Sequence, residues 1–246
     1  MANSSYETSR PRRSGCRRRL FPALLVLLAA WLAWEAVTWP DVGALAHGRP
    51  KTTAFIEKYR GWGVLRSRRQ AEWTWVPYER ISPGFKRAVI VSEDMRFFAH
   101  NGFDDAEIRA ALKDAWEEKT MPRGASTITQ QVAKNLWLSS SYNPLRKVKE
   151  AILTRQLEAH LSKRRILEIY LNVVELGDGI YGAEAAARHY YGRSAAGLTD
   201  RQAAELASAL PRPRSWHPGV RSRAYQRDVR ITLRRMAVAR WVAREI

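Results

Sequence analysis

Five times between Asp104 and Leu210 a residue suited to cap a helix stands just before an apolar pattern of helical period, which leaves little room for a sheet-based fold. Asp104 or Asp105 opens a helix to about Lys119, with Ile108, Ala111, Leu112 and Ala115 recurring at helical spacing. Thr127 followed by Gln130 is a capping-box pattern for a helix to about Leu138. Asn143-Pro144 starts the next, with Pro at the first helical position and Leu145, Val148 and Ile152 on one face. Ser162 caps a fourth, striped by Ile166, Ile169, Tyr170 and Val173. Thr199 with Gln202 makes a second capping box, and Pro211 and Pro213 stop that helix at Leu210. Gly177 and Gly179 interrupt the series before a helix near Ala183 to Tyr190, and Arg221 to Arg244 reads as a final basic helix. With no strand-rich region and no internal repeat, the chain is expected to be mainly α-helical.

Chemistry concentrates in three blocks: Glu93 to Asp104, Gly124 to Asn135, and Arg146 to Glu150. They place carboxylates, amides, hydroxyls and a cluster of cations within 58 residues, equipment for a polar, negatively charged substrate. Glu93 follows Ala88-Val89-Ile90-Val91-Ser92, so its carboxylate is expected at the edge of a buried element. Partial desolvation there raises a carboxyl pKa toward the range of a general base. A surface pair with Arg96 is the plainer alternative. Lys134 lies four residues after Gln130 and three after Gln131, so one helix face can present two amides and an ammonium. Arg146 and Glu150 are also four apart, which suits an ordinary helix ion pair or a site. The loop Gly124-Ala125-Ser126 ends at a helix N-terminus, whose free N–H groups suit phosphate. The five histidines show no metal-ligand spacing.

These blocks, with a fourth at Lys163-Arg164-Arg165-Ile166-Leu167-Glu168-Ile169-Tyr170-Leu171-Asn172, resemble the peptidoglycan glycosyltransferases, the family that polymerises lipid II. The resemblance covers about Ile81 to Pro213 and implies a lysozyme-like helical domain. It also implies that Glu93 takes the proton from the C4 hydroxyl of an acceptor GlcNAc as that oxygen attacks C1 of the donor MurNAc, with inversion and loss of undecaprenyl pyrophosphate. Glu150 matches the family's second essential glutamate, assisting the diphosphate directly, through a neighbouring cation, or through a divalent metal such as Mg²⁺ or Mn²⁺. Ser126, Thr127, Gln130, Gln131, Lys134 and Asn135 match its substrate-binding stretch, with Thr127 also free to act as a cap. Arg146, Lys147 and Lys149 supply further cations for the leaving group. Asp94, Phe97, His100 and Gly102 are expected to support Glu93, and Tyr170 and Asn172 to wall the site from behind.

The formal net charge is +18, of which residues 1 to 19 contribute +5 through six arginines and one Glu. From Leu20 to Trp34 the chain is uncharged, and the apolar stretch continues to Trp39 interrupted only by Glu35. Such a length can span a bilayer core, and the preceding arginines predict a cytoplasmic N-terminus. A cleaved signal peptide is the alternative, with Ala44-Leu45-Ala46 as its small-residue site. The expected organisation is a basic cytoplasmic tail over 1–19, an anchor over 20–39, a connector and first structured segment over 40–80, a catalytic core over 81–213 and a basic helix over 214–246. The resulting expectation is a single-pass inner-membrane protein with its catalytic domain in the periplasm. Its partners would be lipid II, the growing glycan, the membrane and cell-wall synthesis or division proteins. The apolar Leu136-Trp137-Leu138 and Tyr142 to Leu145 could dip into the bilayer surface.

Nucleic-acid binding is disfavoured because the arginines flank an apolar segment and no recognition motif appears. A hydrolase of the same fold would leave Lys134, Arg146, Lys147 and Lys149 without a pyrophosphate to stabilise. A scaffold would not be expected to retain both glutamates. No Ser-x-x-Lys occurs, and the chain after Pro213 is shorter than the roughly 50 residues a domain needs, so no transpeptidase activity is expected. The resemblance implies inhibition by moenomycin and insensitivity to β-lactams.

Overall fold

The computed structural model describes residues 15–66, 70–118, 126–138 and 143–246. Of the expectations above, those on the tail before residue 15, on Lys119, on Gly124 and Ala125 and on Tyr142 lie outside these residues. The chain divides into two units, Met1–Asp41 and Val42–Ile246.

The first unit holds α1 (Gly15–Val37), with Pro22 inside it. Among the described residues no helix is long and apolar enough to cross a membrane. The fold therefore establishes a helix over the expected anchor without establishing a span.

The second unit contains α2 (Ala54–Arg66), β1 (Glu72–Trp73), α3 (Pro83–Glu93), α4 (Asp105–Glu118), α5 (Ile128–Trp137), α6 (Pro144–His160), α7 (Lys163–Val173), β2 (Glu175–Gly177), β3 (Ile180–Tyr181), α8 (Ala183–Tyr191), α9 (Asp200–Ala209) and α10 (Arg223–Val238). The local start signals act as read from sequence. Asp104 Oδ1 accepts from the N–H groups of Ala106 and Glu107 at 3.1 Å each, which makes it, rather than Asp105, the cap of α4. Both capping boxes form, Thr127 with Gln130 and Thr199 with Gln202. Asn143 and Ser162 cap α6 and α7. The final basic helix is shorter than expected: it begins after its cap Ser222 and gives way at Ala239 to a 3₁₀ turn over Arg240–Arg244.

Packing follows from which helices are apolar on more than one face. In α3, Phe85, Ala88, Val89, Ile90 and Val91 are all essentially inaccessible, so the helix runs through the core with α9 and α10 against it. A second layer forms where α5 packs on α6 and α7. Ile128, Val132 and Ala133 of α5, Leu153 and Leu157 of α6, and Ile166, Leu167 and Ile169 of α7 are buried there. The C-terminal end of α3 and the N-terminal end of α5 meet where Asp94, the C-cap of α3, accepts from the Ile128 N–H at 3.0 Å.

One element has no warning in the sequence. Strands β1, β3 and β2 form a small sheet in that order, β1 parallel to β3 and β2 antiparallel to it. With two or three residues per strand, no alternation can declare itself. The sheet is held from behind by Asn172 of α7. Its amide oxygen accepts from the Val76 N–H at 2.8 Å, and its NH₂ donates to the Val76 carbonyl at 2.9 Å. The Trp73 indole N–H donates to the Asn172 carbonyl at 2.7 Å. Asn172 thus fastens Trp73 and the segment after β1.

Candidate active site

Glu93 is the last residue of α3, where a buried apolar helix delivers a carboxylate to the edge of the core. It lines a cleft of about 580 Å³ with Ser92, Met95, Arg96, Asp104, Glu107, Ser126, Thr127 and Arg235. Its Oε2 accepts from the Gln131 amide at 2.7 Å, and Gln131 Oε1 in turn accepts from the Tyr170 hydroxyl at 3.0 Å. Burial holds the Tyr170 pKa well above its ordinary value, with Glu93 and Asp94 adding to the effect, so the phenol stays a donor. That donor fixes the orientation of the Gln131 amide, and the amide fixes Glu93. Burial likewise raises the pKa of Glu93, while the Gln131 hydrogen bond and the Lys134 charge oppose the rise and Asp94 adds to it.

Asp94 is turned away from the cleft. Its carboxylate accepts from Ile128 N–H and lies 3.0 Å from His100 Nε2, a buried pair that ties the end of α3 to the loop before α4. Phe97 is fully buried beneath, edge-on to the Phe98 and His100 rings. Gly102 has φ +90°, and its carbonyl accepts from the Thr127 hydroxyl at 2.7 Å. A Cβ there would lie 2.7 Å from Thr154 Cγ2 and 3.2 Å from Glu158 Cγ. Gly102→Ala is therefore expected to lower stability by about 2 kcal/mol or more, read as a lower denaturant midpoint with unchanged m. An unaltered midpoint would show that the loop can rearrange without cost.

Thr127 and Gln130 are engaged with each other: Gln130 Oε1 accepts from Thr127 N–H at 3.0 Å, and Thr127 Oγ1 from Gln130 N–H at 3.2 Å. Both are buried. Of the matched stretch, Ser126 is exposed at the cleft, Gln131 reaches Glu93, and Asn135 is buried on α5.

The second carboxylate lies on α6. Glu150 is only 3% exposed and is bound on both oxygens, by Arg146 at 2.8 Å and by Lys147. The helix pair expected from spacing exists, and burial makes it more than a surface ion pair. Lys149, on the same helix, is half-buried. Lys134 on α5 lies within the field of both carboxylates. Burial lowers its pKa, Arg146 and Lys147 push the same way, and Glu150 and then Glu93 oppose them. Glu93 of α3, Lys134 of α5 and Glu150 of α6 thus come together from three helices, with the ammonium within the influence of both carboxylates.

Two features were missed from sequence. Arg235 of α10 lines the Glu93 cleft and donates to the Val91 carbonyl at 3.3 Å, although 142 positions separate it from Glu93. Thr129, Glu158 and Lys163 form a chain linking α5, α6 and the start of α7, with Thr129 Oγ1 2.5 Å and Lys163 Nζ 2.8 Å from Glu158 Oε1. Neither has a local signature, since each depends on how helices cross.

Among the described residues one group of His and carboxylate side chains is close enough to share a metal: Asp94, His100 and Asp104. Asp94 already serves Ile128 N–H and His100, while Asp104 caps α4 and lies 3.5 Å from Arg96. Mg²⁺ and Mn²⁺ favour oxygen-rich octahedral sites, so this set does not suit them, and it contains neither Glu93 nor Glu150.

A family model described as Transglycosylase matches residues 62–237, spanning the cleft, both carboxylates and α10. Relatives named biosynthetic peptidoglycan transglycosylase are similar over most of their length. One from Methylobacillus flagellatus is 50% identical over 88% of this chain and 92% of its own. One from Thiobacillus denitrificans is 46% identical over 87% and 90%, and one from Laribacter hongkongensis 44% identical over 87% and 92%. With a half-buried, positioned carboxylate, a cationic cluster and these relatives in agreement, the chain belongs to the transglycosylase family.

Proposed function

We infer that this chain is a biosynthetic peptidoglycan transglycosylase, a glycosyltransferase of cell-wall synthesis that extends a glycan strand from lipid II. The observation that carries the reading is the Tyr170–Gln131–Glu93 chain, which holds a carboxylate of raised pKa at the cleft edge within the field of Lys134.

In this reading Glu93 removes the proton of the acceptor C4 hydroxyl as its oxygen forms a bond to the donor C1. The C1–O bond to pyrophosphate breaks with its electron pair going to the phosphate oxygen, so the linkage forms with inversion as β-1,4. Charge grows on the departing pyrophosphate, and Lys134, Arg146 and Lys147 are preorganised to stabilise it. Glu150 holds Arg146 and Lys147 beside each other and favours the charged form of Lys134.

Membrane attachment is part of the proposal. The described apolar residues of α1 are exposed, with Leu25, Val26, Leu27, Leu28, Leu32 and Trp34 each at least half accessible. With Val37, seven such side chains on one helix are costly in water and suit a lipid environment. On α6, Leu145, Val148 and Ile152 form an exposed stripe at helical spacing, and Trp116 of α4 is 87% exposed. These fit a domain that meets a polyprenyl substrate at the bilayer surface. By the positive-inside rule the N-terminus is cytoplasmic and the catalytic unit periplasmic.

Detergent-purified protein incubated with labelled lipid II is expected to yield lysozyme-digestible polymer, to be inhibited by moenomycin and to resist covalent labelling by penicillin. Folded protein that yields no polymer across several detergents and divalent metals would overturn the reading.

A further inference from the structure

A second groove, of about 470 Å³, is lined by Arg49, Pro50, Lys51, Trp73 and Trp75. It lies on the other side of α7 from the catalytic carboxylate. Tyr170 points from α7 to Gln131, whereas Asn172, two residues and about 200° further round the helix, holds Trp73 and Val76. The two sites are thus separated by about a helix diameter, 10 Å or more.

The groove is built rather than incidental. Trp73 is pinned through its indole N–H to the Asn172 carbonyl, and Trp75 rests against the Arg165 guanidinium, 5.4 Å from the ring centroid. Arg165 is itself immobilised by the Leu45 carbonyl at 2.8 Å, the Gly48 carbonyl and Glu168 at 2.7 Å. The same arginine therefore backs one indole and ties down the segment that leads into Arg49 and Lys51. Both indoles line the same groove. The lining carries two cations and no carboxylate.

Flat, fixed aromatic faces bind the C–H faces of pyranose rings, and flanking cations bind carboxylates. We propose that this groove binds a peptide-bearing glycan strand, with sugars against Trp75 and Trp73 and stem-peptide carboxylates at Arg49 and Lys51. The assignment rests on the transglycosylase reading for the identity of the polymer. Its consequence is a hold on the strand outside the reacting centre, which keeps product associated between additions.

The test uses full-length protein in detergent with lipid-free, uncross-linked peptidoglycan strands as the probe, and measures lipid II consumption in parallel. Wild type is expected to bind the strands. Trp75→Ala and the double variant Arg49→Gln/Lys51→Gln are each expected to bind about tenfold more weakly, with Trp75→Phe close to wild type. Strands stripped of peptides should lose the dependence on Arg49 and Lys51 but keep that on Trp75. All variants should consume lipid II at the wild-type initial rate and release shorter polymer. Unchanged strand affinity in the double variant, a surface change that spares the fold, would overturn the proposal even if Trp75→Ala proved unstable. So would a loss confined to binding of phosphatidylglycerol vesicles, which would make the groove a membrane contact. Wild type that binds strands but never consumes lipid II would instead sink the catalytic reading.

Discussion

Glu93→Gln is expected to lower the rate of lipid II polymerisation about a thousandfold and leave the protein folded, because it removes a proton acceptor and little else. The Gln carbonyl can still accept from the Gln131 amide that now holds Glu93 at 2.7 Å, so the Tyr170–Gln131 arrangement survives. Burial raises the Glu93 pKa, so in wild type the active carboxylate is present only above that raised value. The acid limb of kcat/KM should accordingly lie above the ordinary carboxylate range and disappear in the variant. Stability gives an independent sign. A carboxyl with a raised folded pKa binds more protons folded than unfolded, so stability falls as pH rises from its ordinary value through the raised one. Gln removes that loss, and the variant's midpoint should match or exceed wild type at neutral pH. Polymerisation within tenfold of wild type would exclude Glu93 as the base.

Glu150→Gln is expected to cost about a hundredfold in rate, by a different route. Glu150 is buried against Arg146 and Lys147, and it is the larger of the two carboxylate influences keeping Lys134 protonated. Without it, burial and two neighbouring cations act on Lys134 with only Glu93 opposing them. The ammonium then loses its proton at lower pH, and the basic limb of the rate profile should move down, with part of the lost activity regained on acidification. A rate loss with an unmoved basic limb would mean that Glu150 acts through something other than the charge of Lys134.

Helix starts were legible because capping is local. A Thr with Gln three residues on satisfies the orphan N–H groups of one turn whatever surrounds it, and both such pairs do so here. The edge position of Glu93 was legible for a related reason: an apolar run long enough to be buried must end somewhere, and it ends at that residue. The same locality leaves one pair with two readings: Thr127 and Gln130 match a substrate-binding stretch and their polar atoms also close the capping box, an arrangement a linear motif cannot separate from a ligand contact.

The remaining features depend on distance in sequence. Tyr170 reaches Gln131 across 39 positions and Asn172 reaches Val76 across 96, although they lie two residues apart on one helix. No period in the sequence states which neighbour will lie against each face. Arg235 was one basic residue among many until α10 packed on α3 and brought it to the cleft. The sequence by itself determined most helices after Asp104, the caps of α4 to α7 and α9 apart from the choice between Asp104 and Asp105, and the identity of the polar groups, because each follows from contacts within a turn or two of chain. Only the tertiary structure decided which polar groups face the cleft, which serve the scaffold and that a second groove exists, because those depend on crossing helices and on burial that local spacing does not encode.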